Sequence, residues 1–233
     1  MNLFLRQKYE RGRYILQREG LFPFVKTAFG FLVRRLFIYK SFYMYEIPLN
    51  ESMKFESTPK IQNFVFEIIT TGQRLNELVA QDFDFGVHIF GAEKMLNNGS
   101  IMLCVFVENE LACIHWVATT QEAMNVQTKI LYKVDFSNSE AYLGWVETNP
   151  QYRRLGLSMY VILEKFKFLK TVGKTTGKCI AEKGNLASQK MTIKAGGRCY
   201  GKGRYLKILW WNFWKEKPVA REQDSPSLLR KQE

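Results

Sequence analysis

Around Pro150 the apolar pattern of the chain changes from that of strands to that of a helix. Before Pro150, residues 101–107, 111–119 and 141–148 form apolar runs of strand length. After it, apolar side chains recur at helical spacing at Met159, Ile162, Leu163, Phe166 and Leu169. Charged residues Glu164, Lys165, Lys167 and Lys170 lie between them and are assigned to the outer faces of the helix. The change predicts a strand, a loop and a long helix in the middle of a domain.

Further elements are predicted on both sides of this junction. The expected strands are residues 61–70, 128–136, 178–181 and one or two strands within 198–211. The expected helices are 72–81, 91–98 and 185–195, the last closed by Gly196-Gly197. Residues 108–110 join two apolar runs and indicate a hairpin. Strands that alternate with helices in this order predict a mixed α/β sheet.

The two ends of the chain differ in composition from the middle. We divide the sequence into a basic, aromatic prefix at 1–50, a domain at 51–214 and a polar tail at 215–233 that we expect to be flexible. Residues 21–45 contain too many charges for a membrane span and are expected to form a basic helix. This helix would pack on the domain or on a second subunit of a homodimer, or else lie on an anionic membrane surface.

The net charge of +12 favours an anionic partner, such as a nucleotide-like ligand, nucleic acid or acidic lipid. The sequence has no helix-turn-helix, zinc-finger or RRM signature, so no nucleic-acid partner is expected. The four cysteines form no CxxC pair, and the two histidines form no cluster with zinc-ligand spacing. With no secretory leader, we expect reduced thiols, no metal and a cytoplasmic location.

The loop that precedes the long helix contains Arg153-Arg154-Leu155-Gly156-Leu157-Ser158. A glycine allows close approach of the backbone, and the first N–H groups of a helix lack partners within it. Helix starts of this kind bind phosphate through backbone donors. The loop is therefore a candidate anion site, although a simple turn with solvated arginines would have the same sequence.

A second motif follows the next strand. Asn185 opens a helix that ends at Lys194-Ala195-Gly196-Gly197, and Ser188 stands three residues after the asparagine. Asn185 is a favourable N-cap whether or not it also contacts a ligand. One helix and one strand separate the two motifs.

Together the two motifs resemble motifs A and B of the GNAT superfamily of N-acetyltransferases. Motif A is a strand followed by V-x-P-x-x-R-x-x-G-x-G/A, which Pro150, Arg153 and Gly156 match directly. Thr148 replaces the usual Val, and Ser158 replaces the last Gly or Ala. The resemblance covers residues 101–209 and implies a mixed, mostly antiparallel twisted sheet with a central splayed strand pair and flanking helices.

The resemblance also implies a cosubstrate, acetyl-CoA, and the residues that bind it. The backbone amides of residues 154–158, together with Arg153, are expected around the pyrophosphate. Val146 and Thr148 are expected to contact the pantetheine arm through their main chain, and Asn185 and Ser188 belong to the same binding set. The implied reaction is direct transfer of an acetyl or other acyl group to an amine acceptor, either a small molecule or a peptide.

Three residues are candidates for the proton transfers of this reaction. Glu147, at the end of the central strand, is the first candidate for the general base. His115, within an apolar strand, is the second candidate, and a buried structural histidine is the alternative reading. The family often has a tyrosine seven residues after the motif B asparagine to protonate the leaving thiolate, but here that position is Thr192. Tyr200, Tyr205 or water would have to take its place. The alternative functions are a coenzyme A-binding module without catalysis and, after it, a basic nucleic-acid-binding protein.

Overall fold

The structure is a computed structural model of the chain, and it describes residues 37–50 and 58–219. Eight strands are present in this part: β1 Phe37–Pro48, β2 Val65–Ile69, β3 Ile101–Val107, β4 Glu110–Ala118, β5 Glu140–Thr148, β6 Thr176–Glu182, β7 Arg198–Ile208 and β8 Trp211–Pro218. The helices of this part are α1 Gly72–Ala80, α2 Ala92–Asn97, α3 Gln121–Gln127, α4 Leu157–Thr171 and α5 Leu186–Lys194. Each of them is too short or too polar to cross a lipid bilayer.

The eight strands form one sheet in the order β2-β3-β4-β5-β6-β1-β7-β8. All neighbouring strands are antiparallel except β5 and β6, which are parallel. A mixed and mostly antiparallel sheet with flanking helices is the fold class that the sequence predicts, and the structure confirms it.

Helices cover both faces of the sheet because its central strands are apolar on both sides. β3 is buried at every position, which its unbroken apolar sequence requires. One face carries α4, whose Val161, Phe166 and Leu169 pack on alternate residues of the central strands. The other face carries α1 and α2, which bury Leu75, Leu78 and Leu96 against the remaining residues of β3 and β4.

Strand β1 corrects the expectation of a helix over residues 21–45, for the part of that range that the structure describes. From Phe37 onward the chain is extended and pairs with β6 on one side and β7 on the other. Phe42, Tyr43, Met44 and Tyr45 are all buried, so both faces of β1 are covered. A strand covered on both faces shows no alternation of polar and apolar residues and cannot be told from a buried helix by periodicity. Residues 1–36 lie outside the described residues.

Two other expectations also need correction. Residues 128–136, expected as a strand, form no regular element, and only a 3₁₀ turn follows at Phe136–Asn138. The start of the predicted tail, Lys215 to Pro218, belongs to β8 at the edge of the sheet. Alternating lysine and glutamate at this edge suits a strand that must not pair with other molecules. The other predicted helices and strands are confirmed, with bounds that differ by a few residues.

Gly203 of β7 is needed because a large ring crosses it. A Cβ atom built on Gly203 would lie 1.9 Å from the Trp214 ring. That ring packs on Phe42 with a centroid distance of 5.8 Å and on Tyr132 at 6.3 Å. The indole of Trp214 therefore joins β1 and the 128–136 segment over the glycine.

Gly203→Ala is expected to lower the free energy of unfolding by ~1–3 kcal/mol, because overpacking would displace the Trp214 ring. Chemical denaturation followed by circular dichroism measures this loss. Gly184→Ala is the matched control, since a Cβ there meets nothing within 4 Å. Equal stability of the two variants would show that the Trp214 ring does not depend on the glycine.

Candidate functional site: the opening between β5 and β6

The parallel strands β5 and β6 separate after three pairs of residues. The ladder joins Glu140–Tyr142 to Thr176–Lys178 and ends there. Beyond this point β5 continues to pair with β4, and β6 continues to pair with β1. Residues 143–148 of β5 and 179–182 of β6 therefore border an opening in the middle of the sheet, which we call the wedge. The splayed strand pair implied by the resemblance is present.

A bulge in β5 explains why the strands separate. Val117 pairs with Leu143 and His115 with Val146, so two residues of β5 stand opposite one residue of β4. A bulge of this kind bends its strand and increases the twist. Gly144 lies in the bulge, and the Gln127 side chain occupies the space that a Cβ there would need. Gln127 Nε2 donates to the Val117 carbonyl at 2.9 Å, which holds α3 against the bulge.

The predicted anion loop lies directly after β5, at one end of the wedge. Gly156 is the N-cap residue of α4 in the left-handed region, with a φ of 82°, and no side chain caps the helix. The first N–H groups of α4, from Gly156 to Met159, therefore lack partners within the helix. Arg153 Nε donates to the Thr148 carbonyl at 3.2 Å and thereby positions this side chain beside the end of β5. Leu157 is buried, so only its backbone can contact a ligand.

A neighbouring segment of chain holds this loop in place. The Lys60 N–H donates to the Leu155 carbonyl at 2.8 Å. A Cβ atom on Gly156 would lie 3.4 Å from Pro59 Cα. Glycine at this position is therefore required by its positive φ and by the close approach of residues 58–60.

A chain of side-chain contacts, buried at His115 and Lys165, leads from the loop into the wedge. His115 Nε2 lies 3.0 Å from Ser158 Oγ, and His115 Nδ1 lies 3.4 Å from Lys165 Nζ. An ammonium group can only donate, so Nδ1 accepts and Nε2 carries the proton toward Ser158. Ser158 Oγ in turn contacts Met191 Sδ of α5 at 3.1 Å. The order of contacts is Lys165, His115, Ser158 and Met191.

Lys165 was assigned from the sequence to an outer face of the helix, and this assignment is wrong. The side chain is 3% exposed and lies under the sheet. No carboxylate lies within ion-pair distance of Lys165 in the described part of the chain, and the thiols of Cys113 and Cys179 flank it on β4 and β6. Burial lowers the pKa of Lys165 to about 8. Burial, and then the neighbouring Lys165, lower the pKa of His115 well below its ordinary value.

The sequence did contain a signal for this position. Lys165 stands four residues after Val161 and four before Leu169, both fully buried. It therefore lies in the apolar stripe of α4, and a lysine there indicates either a buried charge or a functional group. Its ammonium group interacts electrostatically with the thiols of Cys113 on β4 and Cys179 on β6, and Cys179 is the first residue of β6 that borders the wedge.

Glu147 lies on the opposite face of the sheet from His115. It pairs with Ile114 and lines a pocket of about 270 Å³ together with Asp84, His88 and Glu110. Glu110 accepts hydrogen bonds from Asn149 at 3.1 Å, Gln151 at 2.5 Å and Tyr152 at 3.0 Å. Glu147, in contrast, makes no hydrogen bond or ion pair to another described residue. It is therefore a carboxylate of the pocket that remains available to a ligand.

Trp145 extends this pocket. Its ring is 47% exposed and lies 5.2 Å from the His88 ring. The pocket thus combines acidic groups with an aromatic wall. Among the residues that the structure describes, no three His, Cys, Asp or Glu side chains are placed to hold a metal ion.

The motif B residues lie on α5, next to α4. Asn185 Oδ1 accepts from the Ser188 N–H at 3.0 Å, which is the N-cap contact expected of it. Thr192 is buried and lies against the Cys179 thiol, whose pKa burial raises to about 11. A Cβ on Gly197 would lie 2.7 Å from the Thr192 carbonyl oxygen, so only glycine fits at this position.

The two tyrosines proposed to replace the family's acid have other partners. The Tyr200 hydroxyl lies 2.8 Å from the Tyr132 hydroxyl, within a cluster that also includes Tyr142. The Tyr205 hydroxyl donates to Asn212 Oδ1 at 2.6 Å. Lys165 is thus the candidate proton donor at the wedge that the sequence analysis missed.

Comparison of the sequence with protein-family models and with curated proteins gives no match. Comparison with solved structures gives a tandem GNAT protein from the clavulanic acid pathway, at 10% identity over 81% of this chain and 55% of that one, with a TM-score of 0.48. A putative GNAT acetyltransferase from Novosphingobium aromaticivorans shares 12% identity over 74% and 65%, with a TM-score of 0.47. An aminoglycoside 6′-N-acetyltransferase from Acinetobacter baumannii shares 16% over 57% and 90%, with a TM-score of 0.40.

The present chain spans little more than half of the tandem protein and about two thirds of the Novosphingobium protein. Its own strand order, its parallel pair that opens into a wedge and the uncapped helix start beside it are the features implied by the two sequence motifs. The chain has a GNAT fold. In this GNAT fold, β1 from the N-terminal part of the chain lies between β6 and β7.

Lys165→Met is expected to stabilise the protein at pH 7, because it removes a buried charge that has no carboxylate partner. Below pH 8 Lys165 is protonated in both the folded and the unfolded state, so the full destabilisation by its buried charge is present there. Between pH 8 and 10.5 the unfolded chain holds a proton that the folded chain has released, so wild-type stability rises relative to the variant. The difference in free energy of unfolding between the variant and the wild type should narrow by on the order of 3 kcal/mol over this range. Denaturant titrations across these pH values would measure it.

The matched control is Lys167→Met, because Lys167 is an exposed lysine of the same helix that pairs with Glu164 at 2.7 Å. Its stability curve should run parallel to that of the wild type. If the curve of stability against pH for Lys165→Met also ran parallel to that of the wild type, this would contradict the conclusion that Lys165 is buried and charged.

Proposed function

We propose that the chain is an acetyl-CoA-dependent N-acyltransferase. The observation that supports this best is the position of the wedge. It lies between an uncapped helix start with two arginines and a pocket with three carboxylates on the other face of the sheet. An anionic cosubstrate on one side and a cationic amine on the other would meet where β5 and β6 separate.

Coenzyme A would bind along the α4 side of the wedge. Its pyrophosphate suits the free N–H groups at the start of α4, with charge supplied by Arg153 and Arg154. The pantetheine arm would add to β5 like a short strand, using main-chain groups near Val146 and Thr148 that β6 leaves unpaired. A main-chain N–H in the bulge would polarise the thioester carbonyl.

The amine acceptor would enter from the pocket that contains Glu147. Carboxylates of Asp84, Glu110 and Glu147 attract a cation to this pocket, although the chain as a whole is strongly basic. Glu147 would take a proton from the amine as the nitrogen attacks the thioester carbon. The pocket has room for a small amine or for one end of a larger molecule.

The leaving thiolate needs a positive partner or a proton donor, and Thr192 is neither. Lys165 would take this role from the α4 side, with its ammonium group held by His115. The nitrogen–carbon bond forms, the carbon–sulfur bond breaks, and Lys165 gives a proton to the sulfur. After the products leave, Lys165 regains a proton from solvent and Glu147 releases the amine proton to solvent.

A coenzyme A-binding module without catalysis is the second candidate function. The absence of an acid at Thr192 favours it, because the fold and the anion site would serve binding alone. Release of free thiol from acetyl-CoA in the presence of a panel of amines and amino sugars separates the two functions.

Gly156→Asp is expected to weaken coenzyme A binding at least tenfold, since it places a carboxylate where the pyrophosphate would lie. Isothermal titration calorimetry measures the affinity. Gly173→Asp is the matched control, because Gly173 also has a positive φ, of 76°, and follows the other end of α4. If Gly156→Asp bound coenzyme A as tightly as the wild type does, the loop at residues 153–158 would not be part of the binding site.

Glu147→Gln should retain coenzyme A binding and lower kcat by ~10²–10⁴-fold, the usual contribution of a general base. This measurement uses the best amine from the panel, with initial rates followed across pH. Glu122→Gln, an exposed change at the start of α3, should behave as wild type. If Glu147→Gln kept the wild-type rate and pH profile, Glu147 would have a structural role and not a catalytic one.

A further inference from the structure

The end of the sheet where β1 begins and the β7–β8 hairpin turns is apolar and exposed. Trp210 is 70% exposed and Trp211 is 55% exposed, and their rings contact each other at a centroid distance of 5.3 Å. Six large apolar side chains are exposed at this end: Phe37, Tyr39, Ile208, Trp210, Trp211 and Phe213. Single exposed apolar residues are ordinary, but a contiguous group of this size indicates a binding surface.

The strand register places most of these side chains on one face, in rows that run across β1, β7 and β8. Phe37, Ile208 and Trp211 form the outermost row, and Tyr39, Leu206 and Phe213 form the next. Residues two apart on a strand share a face. The following rows on this same face contain Arg204 beside Lys215, and then Lys202 beside Lys217. Their β1 members are Ser41 and Tyr43, so these four rows contain no acidic residue.

Apolar and basic residues are therefore separated along the strands. Two apolar rows occupy the tip, and two basic rows lie behind them. Successive rows on a face are ~7 Å apart, so the basic rows begin within about 15 Å of the tip. This depth matches the passage from the acyl boundary of a bilayer to its headgroups. A surface for single-stranded nucleic acid would instead interleave aromatic and basic side chains.

We propose that this face, which we call the hairpin face, binds the surface of an anionic lipid bilayer. Trp210, Trp211 and the apolar rows enter the boundary of the acyl chains. Arg204, Lys215 and their neighbours bind the acidic headgroups. Tryptophan and tyrosine are suited to this depth because their rings are apolar and their N–H or O–H groups are polar.

The sequence that precedes the described residues is strongly basic. The 36 residues that precede Phe37 contain eight Lys or Arg against two Glu. They join the sheet in the outermost row of the hairpin face.

Co-sedimentation of the full chain with lipid vesicles tests this proposal. Vesicles of phosphatidylcholine alone are compared with vesicles that contain phosphatidylserine, at physiological salt. We expect binding only to the phosphatidylserine vesicles. Trp210→Ser/Trp211→Ser should weaken it roughly tenfold or more, and Arg204→Glu/Lys215→Glu should weaken it similarly and reduce its salt dependence.

Phe90→Ser is the matched control, since Phe90 is 83% exposed and lies elsewhere on the surface. It should bind vesicles like the wild type. Thermal unfolding of all variants should be unchanged because the altered side chains are exposed.

Several results would overturn the proposal. One is wild-type binding by both double variants, which would assign vesicle binding to another part of the chain. Other such results are a lower stability or a changed oligomeric state of Trp210→Ser/Trp211→Ser while its vesicle binding stays that of the wild type. These would show that residues 1–36 or a second copy covers the hairpin face. Tight binding of single-stranded RNA with no vesicle binding would identify nucleic acid as the partner.

Discussion

The bulge in β5 is the constraint on which the rest of the site depends. Gly144 admits the Gln127 side chain, the ladder with β4 shifts by one residue, and β5 turns away from β6. Without that turn the two parallel strands would pair along their whole length. The sheet would then have no opening that connects its two faces. With it, the end of β5 delivers Glu147 to the acidic pocket and the chain to the uncapped start of α4.

The buried Lys165 has a cost that packing alone does not explain. A protonated lysine in the apolar stripe of α4 is expected to lower stability below pH 8, and its hydrogen-bond partner is the His115 ring at 3.4 Å. An apolar side chain of similar length would fill the same space. Under the proposed function, a positive group beside the wedge would stabilise the leaving thiolate, which connects this destabilising residue to the departure of Thr192 from the family's pattern.

Much of the site could be predicted because its parts are local in sequence. The loop at 153–158 and the cap at Asn185 are set by glycine, arginine and asparagine at fixed spacing from a helix start. The partners of Lys165 and the place of β1 depend on contacts between distant segments. His115 and Lys165 are 50 residues apart, and no short motif links them. Residues 42–45 of β1 are buried on both faces of the sheet, so this part of the strand lacks the alternation that would mark a strand.

The central claim is that the wedge holds the thiol end of coenzyme A beside Lys165. The most direct test is the pKa of the thiol in bound coenzyme A, measured from thiolate absorbance, with coenzyme A that lacks its sulfur as the reference ligand. The account predicts a thiol pKa at least one unit below that of free coenzyme A, because a buried ammonium group stabilises the thiolate. A bound thiol that ionises at the same pH as the free thiol would contradict it.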